Sequence, residues 1–127
     1  MILVDTALQT RHAEGRPIRV GMVGAGFMAQ GVARQLLRSV PGMTLSAIAN
    51  RTVERARRAF VEAGAEPPVE VGTLAALNDA VAAGRPAVTD DPLLLCRADG
   101  IDAILEVTGA IAFSAGVALE AIAHGKH

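Results

Sequence analysis

The chain has 127 residues, 51% of them hydrophobic and 2% aromatic, with no Trp or Tyr and a formal net charge of -1 at pH 7. That length makes one layered domain with a real core, and a core limited to Ala, Val, Leu and Ile suits helices packed on a parallel sheet. A near-neutral charge without stacking aromatics excludes nucleic acid as a partner, no apolar stretch approaches the roughly 20 residues of a membrane span, and a lone Cys96 excludes an internal disulfide.

Residues 1 to 17 read as an N-terminal leader, in which Asp5 is expected to cap a helix through about Glu14 before Gly15-Arg16-Pro17 breaks it. Met1 to Val4 is too short for the apolar core of a secretory signal, so the cytoplasm is the expected location. Ile18 to Val23 is an apolar strand, and the spacing of Val32, Ala33, Leu36, Leu37 and Val40 marks the buried face of the helix after it. Pro41-Gly42 stops that helix and Met43 to Ala49 forms a second strand, completing a βαβ unit. Thr52 is placed to cap a helix carrying Val53, Ala56, Ala59, Phe60 and Ala63 that ends at Gly64, and Pro67-Pro68 enforces a loop. Leu74, Leu77, Val81 and Ala82 suggest a helix closed by Gly84, and Pro86 to Thr89 a short third strand. Asp90-Asp91-Pro92 then starts a helix holding Leu93 to Cys96, Ile101 to Val107 is a fourth strand, and a last helix covers about Ala112 to His124. Alternating strands and helices of this spacing predict an α/β, Rossmann-like, doubly wound parallel sheet over residues 18 to 127, ordered 3-2-1-4.

The turn between the first strand and its helix, Gly24-Ala25-Gly26-Phe27-Met28-Ala29, fits the GxGxxG/A pattern of a dinucleotide site. Such turns also occur as plain connections, but here the motif follows a strand and opens a helix as the fingerprint requires. Gly24 makes the tight turn, Gly26 lets the backbone approach a pyrophosphate, and Ala29 allows close packing of helix on strand. Phe27 and Met28 open the helix, whose first-turn N–H groups have no partner within it and carry partial positive charge for the anion.

An acidic residue at the end of the second strand serves NAD by accepting from the ribose hydroxyls. This chain has Ala49-Asn50-Arg51-Thr52 there. Without a carboxylate to repel a 2′-phosphate, Asn50-Arg51 favours NADP, with NAD possible, and Arg55 adds charge one helical turn on. Arg57 and Arg58 read as the solvated face of the same helix. Thr108 and Gly109 lie in the turn after the fourth strand, at the carboxyl edge where open α/β sheets bind ligands, and are candidates for the nicotinamide half. Glu106 reads as an ordinary polar position rather than a base, His124 and His127 have no third metal ligand, Cys96 follows three leucines as a small core residue, and Asp90-Asp91 reads as a cap. No catalytic residue or metal site is assigned.

Arg19 to Ala29, the Ala49-Asn50-Arg51-Thr52 strand end, Asp90 to Gly109 with its Leu-Leu-Leu-Cys-Arg-Ala-Asp-Gly-Ile-Asp run, and the closing Ala123-His124-Gly125-Lys126-His127 together resemble the homoserine-dehydrogenase-like oxidoreductases, in particular predicted homoserine dehydrogenases with a SAF domain. The resemblance covers nearly the whole chain but only the cofactor half of such a protein. It implies hydride transfer between NAD(P) and a small hydroxy or carbonyl compound. In that family the His-Gly-Lys-His turn leads into a further strand, with the catalytic lysine and the substrate region beyond it, so Lys126 is not assigned that role. The expectation is therefore an N-terminal fragment that binds a dinucleotide, needs a C-terminal part for its substrate, and is open to homo-oligomer formation. A non-catalytic dinucleotide-binding module, sensing redox state or completed by a partner chain, is the alternative.

Overall fold

A computed structural model of the protein describes residues 2–127. Its elements in chain order are α1 (Ile2–Ala13), β1 (Ile18–Val23), α2 (Phe27–Arg38), β2 (Met43–Ala49), α3 (Val53–Glu62), β3 (Val69–Glu70), α4 (Leu74–Ala82), β4 (Ala87–Thr89), α5 (Pro92–Arg97), β5 (Ala103–Glu106) and α6 (Ile111–Ala123). The strands form one sheet in the order β3-β4-β2-β1-β5, and every pairing is parallel.

The four expected strands take the expected order, and a fifth, β3, extends the edge beside β4. Sequence periodicity missed it because two residues carry no period. Pro67-Pro68 sets the backbone extended, and the amides of Val69 and Val71 then donate to the carbonyls of Pro86 and Val88, each at 2.9 Å. Two further boundaries move. Ile101 is core, 1% exposed, but lies ahead of β5. Asp5 lies inside the first turn of α1 rather than at its cap, because the helix already runs from Ile2; there its charge complements the helix dipole. Apart from a half-buried Leu8, whose backbone lies against Gly42, the described side chains of α1 face solvent.

Two apolar layers hold the sheet. On one face α2 and α3 bury Ala29, Ala33, Ala56 and Phe60 against Met22 and Ile48. On the other, Leu77, Leu95, Cys96, Val117 and Ala121 from α4, α5 and α6 pack with Ile101, Val23 and Ala47. Strands covered on both faces read as nearly unbroken apolar runs, as β1 and β2 do. Alanines at 0% exposure on α2 and α3 bring helix backbones close to the sheet, which fixes where the helix ends fall.

Two helix starts carry side-chain caps. The Thr73 hydroxyl accepts from the Ala76 amide at 3.2 Å and starts α4; Asp91 Oδ1 accepts from the Leu93 amide at 2.9 Å and starts α5, with Pro92 in the first turn. Thr52 stands at the cap of α3 as expected, but its side chain makes no capping bond. Arg57 departs from the solvated-face expectation. Its guanidinium donates to the Pro68 carbonyl at 2.8 Å and pairs with Glu54 and Glu70 at 3.4 and 3.5 Å, tying α3 to β3.

Candidate functional site

The carboxyl ends of β1, β2, β4 and β5 open onto one cleft of about 610 Å³. The chain leaves β1 toward β2 and β4 on one side and returns to β5 on the other, so the cleft sits where the strand order reverses, the place at which doubly wound sheets bind ligands.

Gly24 turns the chain out of β1 with φ of 115°, a region that disfavours side chains, while its amide donates to the Ala49 carbonyl at 2.8 Å. A Cβ there would also press on Val107, 3.2 Å from Cγ2 and 3.3 Å from the carbonyl carbon. Gly26 is different. It precedes α2 with φ of -79°, and a Cβ would meet no atom within 4 Å. No side chain caps α2, and the Gln30 amide donates to the Gly26 carbonyl at 3.1 Å, so the earlier amides of the first turn remain for an outside acceptor. A glycine turn with open space ahead of uncapped helix amides fits a pyrophosphate.

At the end of β2 the Asn50 amide donates to the Thr89 carbonyl at 3.0 Å and its side chain to the Thr52 carbonyl at 2.9 Å, folding Asn50 into the turn. Arg51 and Arg55 both line the cleft, exposed, and neither makes an ion pair among the described residues. Across from them Thr108 lines the wall after β5, where the Val107 amide donates to the Val23 carbonyl at 2.9 Å.

Glu106, at the end of β5, accepts from the Thr108 amide at 3.0 Å and from the hydroxyls of Thr108 and Ser114. Burial acts to raise its pKa, but these hydrogen bonds outweigh it, and the carboxyl titrates below its ordinary range. A carboxylate held in this way is a weak proton acceptor. Cys96 is fully buried, its thiol directed to the Val117 carbonyl at 3.6 Å and pushed up in pKa by burial and by the charge of Glu120. Lys126 donates to the Ala98 carbonyl ahead of β5, at the opposite end of that strand from the cleft.

The cleft thus brings together Gly24, Asn50, Arg51 and Thr108. Phe27 and Met28, 92% and 71% exposed, line a separate groove along α2 and not the cleft. Ala29 is wholly buried and acts through packing, and Gly109, at φ of 75°, forms the turn behind Thr108. Asp90, Pro92 and Phe113 also line the cleft and were missed. Only Asp91 of the acidic pair caps α5, while Asp90 stands exposed on the rim. Its signal was position: it directly follows a strand end, at the same carboxyl edge as Arg51. Among the described residues, no group of three or more His, Cys, Asp or Glu lies together as a metal site, and no helix is long and apolar enough to cross a membrane.

Sheet order, glycine turn and cleft position define a Rossmann-type nucleotide-binding domain. The chain belongs to the shikimate / quinate 5-dehydrogenase family, matched over residues 7–85. It is 38% identical over 97 residues to inositol 2-dehydrogenase 4 of Saccharopolyspora erythraea, a match covering 72% of this chain and 28% of that protein. Among solved structures, myo-inositol dehydrogenase from Lactobacillus casei, in complex with NAD(H) and myo-inositol, shares the fold with a TM-score of 0.64 at 21% identity, over 87% of this chain and 26% of that one. A mutant 3-ketoreductase from Actinomadura kijaniata, in complex with TDP-benzene and NADP, gives a TM-score of 0.60 at 30% identity, over 87% of this chain and 28% of that one. The chain spans little more than a quarter of the length of these relatives.

Proposed function

We propose that this chain is the cofactor-binding part of an oxidoreductase that moves a hydride between NADP(H) and a small hydroxy or carbonyl compound. The observation that carries the cofactor preference is the end of β2. Asn50 stands where a carboxylate would serve NAD, and two arginines without ion-pair partners among the described residues line the cleft beside it. Asp90, the one acidic residue lining the cleft among the described residues, leaves a positive balance with Arg51 and Arg55. In this reading Gly24 and Gly26 leave room for the pyrophosphate, the backbone at Phe27 and Met28 donates to it, and Ala29 keeps α2 close to the sheet. Arg51 pairs with the 2′-phosphate beside Asn50, and Thr108 and Gly109 border the nicotinamide half. Bound there, the dinucleotide accepts or donates the hydride; these residues hold and orient it.

The substrate class draws on two sources. The homoserine-dehydrogenase-like resemblance favours an amino-acid alcohol, while 38% identity to an inositol 2-dehydrogenase favours a cyclic polyol. Both are oxidised at an alcohol carbon. Residues 1–17 are proposed as a leader and 18–127 as the nucleotide-binding domain, with the substrate-binding part outside these residues.

Calorimetric titration of the chain with NADP+ and with NAD+ tests the preference. NADP+ is expected to bind more tightly, and Arg51→Asp to reverse the order. A charge-assisted pair contributes roughly 1.5 to 3 kcal/mol, so the affinity ratio should move by at least about tenfold. Equal affinities in wild type and variant would overturn the role of Arg51.

A further inference from the structure

Three hydrogen bonds converge on the Glu106 carboxylate from the turn and the helix that follow it. Oε1 accepts from the Thr108 amide at 3.0 Å and from the Thr108 hydroxyl, and Oε2 accepts from the hydroxyl of Ser114 on α6. Thr108 Oγ in turn accepts from the Ala110 amide at 3.2 Å. A hydroxyl has one hydrogen and two lone pairs. In Thr108 the hydrogen is committed to Glu106 and one lone pair to Ala110, which leaves one lone pair on a residue that lines the cleft. The Ser114 oxygen lies 3.5 Å away, but its hydrogen is already given to Oε2.

We propose that Glu106 is a positioning residue that fixes the Thr108 hydroxyl as an acceptor for a hydrogen-bond donor of the bound dinucleotide, a ribose hydroxyl or the carboxamide NH2. The inference rests on the dinucleotide reading of the cleft. An ionised carboxylate suits the task because it only accepts. An amide in its place keeps its oxygen toward the Thr108 amide and turns its NH2 toward Ser114, whose freed hydrogen can then be given to Thr108 Oγ, 3.5 Å away, and take up the lone pair left for the ligand. Glu106 thus acts on the ligand through Thr108, without proton transfer of its own.

The test is NADP+ binding by calorimetry to the 127-residue chain. Thr108→Val should weaken binding about five- to tenfold, the worth of one neutral hydrogen bond, while Thr108→Ser should keep wild-type affinity. Glu106→Gln should weaken it by a similar factor, yet add little when combined with Thr108→Val, because the hydroxyl through which it acts is then gone. Repeating Thr108→Val with the 3-acetylpyridine analogue of NADP+, in which a methyl replaces the carboxamide NH2, identifies the donor. A loss that vanishes names the carboxamide, and one that persists names a ribose hydroxyl. Should Glu106→Gln fail to fold, Thr108→Val and Thr108→Ser are read beside their melting curves: an affinity loss in Thr108→Val at a wild-type melting temperature supports the acceptor role, and a loss that comes only with a lowered melting temperature overturns it. Losses that simply add, or wild-type binding by Thr108→Val, overturn the proposal while the cofactor reading stands. A wild-type chain that binds no dinucleotide overturns both.

Discussion

A side chain at Gly26 would meet nothing within 4 Å, and its φ of -79° is open to any residue. The polypeptide itself therefore does not require glycine there. Gly24 is the contrasting case, since its φ of 115° and the nearness of Val107 make it a requirement of the fold. Gly26→Val is accordingly expected to fold and melt close to wild type while losing dinucleotide binding, because the branched Cβ fills space left for the pyrophosphate. Calorimetry beside thermal melting checks both halves, and retained affinity would make Gly26 a plain turn residue. Glu106 supplies a second prediction at this scale. Its folded pKa lies below the ordinary carboxylate value, so the hydrogen-bonded carboxylate contributes stability above that value, and the contribution is lost as pH falls through the lowered one. Acid melts of wild type and Glu106→Gln should therefore converge on acidification, with wild type losing the advantage it holds at neutral pH. A difference that is constant down to acid would show that the carboxylate charge carries none of it.

At the scale of elements, what was legible in the sequence was local. The β1–α2–β2 unit carries its own signals, with a glycine turn, a helical apolar stripe and Pro41-Gly42 as a stop, and each needs only neighbours in sequence to act. The two-residue β3 has no such signal; it forms because Val88 and Pro86 offer carbonyls to it across the sheet. The cleft divides in the same way. Gly24 and Arg51 were readable from their place after β1 and β2, and Asp90 from its place after β4, whereas Phe113 on α6 joins them only because the sheet order sets β5 beside β1. Asp91 shows a local signal of full strength, with its cap bond starting the short helix that buries Leu94, Leu95 and Cys96 and sets Pro92 on the cleft wall. Asp91→Ala should cost about 1 kcal/mol, lowering the melting temperature by roughly 3 to 6 °C. An unchanged melting curve would mean that packing alone holds α5.

For the molecule as a whole, the two sheet faces are covered but α6 presents apolar surface outward. Val117 and Ala121 are buried, while Ile111, Leu119 and Ile122 are 87%, 69% and 69% exposed, with Ala115 and Ala118 between them on the same helix. Beside it β5 forms the sheet edge, where the His127 amide donates to the Asp102 carbonyl at 3.1 Å and its carbonyl accepts from the Ile104 amide at 2.8 Å, a pairing that covers only the start of the strand. An unpaired edge next to contiguous apolar surface favours association. The 127-residue chain is therefore expected to self-associate in a concentration-dependent way in sedimentation velocity. Leu119→Glu with Ile122→Lys should shift it toward monomer while leaving NADP+ affinity unchanged, since neither residue lines the cleft. Dimers that persist in the double variant would place the contact elsewhere. A wild-type chain that stays monomeric at high concentration would show that α6 and the β5 edge are tolerated in water as they stand.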